Sequence, residues 1–95
     1  MSYCWIITDD YQDGAAKGVI GPRGAKLTKE EIENHKEKMQ FRMFDADNIE
    51  YYQGWLVIED GFRDDRMFAP LDDFGKGNAG CVRLDFYLDG RWNTI

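Results

Sequence analysis

The string Gly75-Lys76-Gly77-Asn78-Ala79-Gly80 has the glycine spacing of a dinucleotide-binding loop. That chemistry needs a strand before the glycines and a helix after them, so that pyrophosphate meets the helix amino terminus. Here Leu71-Asp72-Asp73-Phe74 precedes and an alternating apolar run follows, so a turn leading into a strand is expected and no nucleotide. Asp45-Ala46-Asp47 opens like a calcium loop. The later positions hold Ile49, Glu50 and Leu56 instead of an oxygen ligand, a glycine and a closing Glu, so a solvated hairpin turn is expected. Asp72-Asp73-Phe74-Gly75 echoes the magnesium motif of kinases in a chain far too short to be one.

Acid–base hydrolysis needs two carboxylates in unlike environments across a cleft. Asp9-Asp10, Glu59-Asp60, Asp64-Asp65 and Asp72-Asp73 are adjacent pairs, whose side chains diverge, and turn formation accounts for them. Nucleophilic catalysis would draw on Ser2, Cys4 or Cys81 with the single histidine, His35, and no spacing links them. Two cysteines are too few for a disulfide scaffold and lack zinc-ligand spacing, so buried free thiols are expected. No catalytic, cofactor-binding or metal-binding residue is therefore nominated, and a non-enzyme is expected.

The charge of −6 points elsewhere. Residues 49–95 hold five Lys/Arg against nine Asp/Glu, and within them Glu59, Asp60, Asp64, Asp65, Asp72 and Asp73 face only Arg63 and Arg66. Such a stretch repels phosphate backbones and anionic membranes and admits a basic protein partner. Tyr51 or Tyr52, Trp55, Tyr87 and Trp92 cannot all lie on one buried sheet face, and aromatics beside acids compose a protein-binding hot spot. The nominated partner-binding set is Glu59, Asp60, Asp64, Asp65, Asp72, Asp73, Tyr51, Trp55 and Trp92. The alternative is a small-ligand pocket between helix and sheet near Trp5, His35 and Trp55.

Ninety-five residues make one domain that buries roughly 60–65% of its unfolded surface, and 43% hydrophobic with 15% aromatic residues supply its core. Tyr3 to Thr8 reads as a strand, and Lys17 to Ile20 as a weaker extended piece stopped by Gly21-Pro22. Thr28-Lys29-Glu30-Glu31 is a capping box, with Leu27 and Ile32 as a hydrophobic staple, opening a helix from Lys29 to about Met39. Its stripe of Ile32, His35 and Met39 is narrow. Phe41 to Phe44, the turn Asp45–Asn48 and Ile49 to Ile58 form a hairpin in which Gly54 marks a bulge or a close backbone approach.

Arg66 to Ala69 reads as extended, and Leu71 to Gly80 as loop. Val82 to Leu88 alternates cleanly and turns at Asp89-Gly90 into Arg91–Ile95, which sets Tyr87 against Trp92 on the face away from Phe86. The expected fold is α+β: one twisted, mainly antiparallel sheet of five to six strands with a single helix packed on it. The amino terminus lacks a basic, apolar leader and no apolar run reaches bilayer length, so a cytoplasmic compartment is expected.

Phe41-Arg42-Met43-Phe44-Asp45, Phe68-Ala69-Pro70-Leu71-Asp72-Asp73-Phe74-Gly75 and Ala79-Gly80-Cys81, with Trp5-Ile6-Ile7 and Gly21-Pro22, give the chain a motif order. That order resembles a group of short, functionally unassigned proteins of bacteria and their phages. The resemblance spans nearly the whole chain and carries no residue roles. It implies a context in which small acidic proteins inhibit host defence, anti-CRISPR proteins and DNA mimics among them. This chain has fewer acids than a strong mimic needs.

Overall fold

A computed structural model describes residues 2–95. Six strands form one fully antiparallel sheet: β1 (Tyr3–Asp10), β2 (Ile20–Gly21), β3 (Met39–Phe44), β4 (Glu50–Ile58), β5 (Arg83–Leu88) and β6 (Arg91–Thr94), in the order β2-β1-β4-β3-β5-β6. The two expected hairpins are present, and Asp89, with φ +55°, and Gly90, with φ +81°, make the tight turn between β5 and β6. The weak second strand shrinks to two residues, because Gly21 pairs with Trp5 and proline follows.

Alternation assigns two cores to the two faces. Trp5 and Ile7 of β1, Phe41 and Met43 of β3, Leu56 and Ile58 of β4, and Leu84 and Phe86 of β5 are buried on the first face. Cys4, Ile6 and Val57 are buried on the second. Cys4 and Cys81 thus lie on opposite sides of the sheet, both buried as free thiols.

The first face is covered by a segment the sequence reads as extended strand and loop. It is helical instead: a 3-10 turn (Asp65–Phe68), a π-helical turn (Leu71–Gly75) and α2 (Lys76–Ala79), closed by Gly80 in the left-handed conformation at φ +66°. Met67, Ala69, Leu71 and Cys81 are buried beneath it. The helical spacing is carried by Met67, Pro70, Leu71 and Gly75, all buried, and a proline and a glycine at two of those four positions hide it. Pro70 is tolerated because it stands at the entry of the π-helical turn, where no helical N–H is needed.

The capping box opens α1 (Lys29–Glu33) as expected, with the Glu31 N–H donating to the Thr28 hydroxyl at 3.2 Å and the Thr28 N–H donating to the Glu31 carboxylate at 2.9 Å. The helix does not continue to Met39. It ends at Asn34, since Ile32 is its only buried residue and Met39 is needed as the partner of Leu56 in the sheet. Pairing overrides propensity here. The single expected helix is therefore two short α-helices with two tighter or wider helical turns.

Gly54 is both alternatives at once: it sits opposite Ile7, where β1 has an irregular register, and a Cβ there would lie 2.0 Å from the Ile6 carbonyl oxygen. At Gly75 a Cβ would meet the flexible sulfur of Met43 at 2.5 Å. Urea unfolding should therefore show Gly54→Ala costing ~3 kcal/mol and Gly75→Ala nearer ~1 kcal/mol, because backbone yields less readily than a thioether. Equal costs would mean that β1 and β4 can separate locally.

Candidate protein-docking surfaces

Four of the six acids nominated from the sequence, Asp60, Asp64, Asp72 and Asp73, are occupied inside the molecule. Arg66 donates to Asp60 at 2.9 Å and to Asp64 at 2.9 Å, and reaches the Ser2 hydroxyl at 2.6 Å. The Arg66 hydrogen bonds hold Asp60 below its ordinary carboxylate range and Asp64 down at about 2. Asp72 pairs with Lys76 one turn on. Asp73 accepts from the Tyr3 hydroxyl at 3.0 Å and the Trp5 indole N–H at 3.1 Å, tying the helical cover to β1. Burial first, then Asp73, raises the Tyr3 hydroxyl pKa. Glu59 and Asp65 are exposed beside the Arg66 clamp.

The nominated aromatics are divided between faces. Tyr51, at the irregularity where β3 and β4 lose register, packs on the first core with its ring 6.0 Å from that of Tyr52. Trp55 and Trp92 lie on the second face, in one cross-strand row that runs Trp55, Gln40, Tyr87, Trp92. Residues 59–73, Tyr51 and the tryptophan pair therefore occupy three places and make no common surface.

Unpaired acidity gathers at the other end of the sheet. Antiparallel pairing brings Asp9 and Asp10, which close β1, beside Glu50, which opens β4, and beside Asp45 and Asp47 of the β3–β4 turn. Asp13 joins them from the following loop. Among the described residues none of these six makes an ion pair, and Lys17 is the one cation in the adjoining loop. Asp10, Asp13 and Asp45 have local work as well: each accepts from backbone N–H of its own turn. Tyr11 and Ile49 stand exposed among them, 52% and 48% accessible. Burial comes first in raising Tyr11, Tyr51 and Tyr52, followed for Tyr11 by Asp9 and Glu50, for Tyr51 by Asp45, and for Tyr52 by Asp10, against a lowering hydrogen bond from Asn78.

This acidic pole was legible only through pairing, since its members come from positions 9–13 and 45–50. Among the described residues no three His, Cys, Asp or Glu side chains converge to hold a metal ion.

The second face is half open. α1 packs over β1 and β4 and leaves β3, β5 and β6 uncovered on that side. At its centre Asp85, 2% exposed, accepts from Arg42 at 2.9 Å, from Arg83 at 3.2 Å and from the Thr94 hydroxyl at 2.7 Å. Burial alone would raise the Asp85 pKa; the hydrogen bonds from Thr94, Arg83 and Arg42 outweigh it and hold the carboxyl below its ordinary range.

The pocket expected near Trp5, His35 and Trp55 is not formed, because Trp5 belongs to the first core and Trp55 to the second. The recess between α1 and β1 is about 210 Å3 and is lined by Ile6, Ile7, Thr8, Lys17, Lys29 and Glu33, without any of the three. It is smaller than the ~300 Å3 at which ligand pockets begin. His35 sits in the turn after α1 with its Nδ1 accepting from the Glu37 N–H, whereas Cys81 is buried under the opposite cover with its thiol pushed up to about 11, by burial and then by Asp45.

Because the Asp85 carboxyl is depressed in the fold, its contribution to stability is complete above ~pH 4, the unfolded value, and is lost as pH falls through the lower folded value. Asp85→Asn should remove that acid-range loss and cost roughly 2 kcal/mol at neutral pH in urea unfolding. This is below the usual penalty for an orphaned buried charge, because both arginines keep access to water. An unchanged acid profile in the variant would assign acid sensitivity elsewhere. No helix of the described residues is long and apolar enough to cross a membrane. Set beside protein-family models, curated proteins and solved structures, the chain matches none of them.

Proposed function

We propose that this protein is a non-enzymatic interaction module whose acidic pole docks on a basic protein surface. The observation that carries the reading is the concentration of six unpaired carboxylates around exposed Tyr11 and Ile49 at one end of the sheet. Charges of one sign steer encounter with a basic partner, and exposed apolar side chains at their centre prolong the contact. Laid in the basic groove of a nucleic-acid-binding protein, such a pole excludes the nucleic acid. That is the action required of a small inhibitor of host defence, of the anti-CRISPR kind. The acids of residues 59–73 serve the fold, through Arg66, Lys76 and Trp5, more than the partner.

Two charge-neutral variants separate the surfaces. In the first, Asp9 and Asp47 become Asn and Glu50 becomes Gln, sparing the turn caps Asp10, Asp13 and Asp45. In the second, Asp60, Asp64 and Asp72 become Asn. In affinity capture from lysate of the source cells, the stoichiometric partner of the wild type should bind the pole variant at least ~10-fold more weakly, since rim charges set the association rate. The second variant should retain it. A partner held by the pole variant and lost by the other would overturn the assignment.

A further inference from the structure

The uncovered half of the second face has a chemistry opposite to that of the pole. Lys38 places its ammonium 4.6 Å from the ring centre of Trp55 and donates to the Glu33 carbonyl. Arg42 lies 4.2 Å from the ring centre of Trp92 and 5.1 Å from that of Phe44, and Arg83 lies 3.9 Å from Phe44. Three cations thus run across the face, each seated on an aromatic ring, above the single buried carboxylate of Asp85.

The Arg42 guanidinium is fixed by its Nε bond to Asp85, and its two terminal amino groups have no partner among the described residues. No buried side-chain nitrogen or oxygen lacks a hydrogen bond, so those free donors face solvent. A planar fork held in this way is preorganised for a carboxylate. The stripe leads into a shallow recess of about 190 Å3 whose rim includes Lys36, Lys38, Arg63 and Tyr87 with one acid, Glu37.

Single-stranded nucleic acid is the other polyanion an open aromatic sheet face suggests. It needs free rings for base stacking. Here Trp55, Trp92 and Phe44 already carry cations, so these rings are not free to stack bases. Carboxylates set among apolar side chains fit better, and this chain presents them. The geometry points to a second copy as the occupant: the acidic pole of one molecule, with Asp9, Asp47 and Glu50, docks on Lys38 and Arg42 of another, beside an Arg83 that Asp85 and Asn48 hold in place. This rests on the pole being a docking surface and names a partner for it. A basic target competes with the stripe for the same pole, so self-association holds the pole in reserve. The overall repulsion between two copies of charge −6 is screened beyond ~8 Å at physiological salt, while ion pairs in contact are screened much less.

The test is complementation by mass. Light scattering on size-separated protein at physiological salt should show the wild type rising with concentration from 11.1 kDa toward twice that value. The pole variant, and a stripe variant carrying Lys38→Gln and Arg42→Gln, should each stay monomeric, and their equimolar mixture should regain the doubled mass. Because Arg42→Gln disturbs Asp85, Lys38→Glu with Gln40→Glu serves as a second stripe variant that leaves the Asp85 network whole. A wild type that stays monomeric, a mixture that does not associate, or a monomer whose stripe binds oligothymidylate would each overturn the inference. If the wild type is monomeric while capture of a cellular partner still depends on the pole, self-docking falls and the proposed function stands.

Discussion

A six-stranded sheet exposes two faces, and a chain of 95 residues has helical material for little more than one. The cover from Asp65 to Ala79 seals the first face, where Phe41, Phe86, Leu56 and Leu84 pack. The five residues of α1 pack mainly on β1 and β4 on the second. What remains must tolerate water without becoming an aggregating apolar plane, and the solution is a face of glutamines, arginines and cation-capped aromatics over one buried acid. Both the stripe of ring-seated cations and the cost of the Asp85 network follow from that shortage of cover.

Legibility in the sequence followed the range of the interaction. Elements set by neighbours were readable: the Thr28 capping box, the Asp89-Gly90 turn, and the alternation from Val82 to Leu88 that sets Tyr87 against Trp92, whose rings stand 5.4 Å apart. The length of α1 was not, because its end is decided by the pairing of Met39 with Leu56, 17 residues away. The helical cover was missed because Pro70, Gly75, Gly77 and Gly80 each argue locally for loop. The contact that requires Gly75, with Met43, is visible only in three dimensions.

Charge behaved in the same way. The densest acidic stretch of the sequence, residues 59–73, is the one the fold compensates most fully, through Arg66 and Lys76. The carboxylates without ion pairs gather where the ends of different strands meet, from acids up to 41 positions apart, Asp9 and Glu50. Counting charge along a sequence locates composition; antiparallel pairing decides where that charge is felt.

The three tryptophans occupy three different settings: Trp5 under the helical cover with its indole N–H on Asp73, Trp55 beside α1 beneath Lys38, and Trp92 against Arg42 on the edge strand. A carboxylate at the indole nitrogen and a cation at the ring face shift and quench emission in different ways. With the other two replaced by phenylalanine, each tryptophan becomes an intrinsic optical label for one part of the protein: Trp5 for loosening of the cover, Trp55 for movement of α1 and Trp92 for occupation of the open edge.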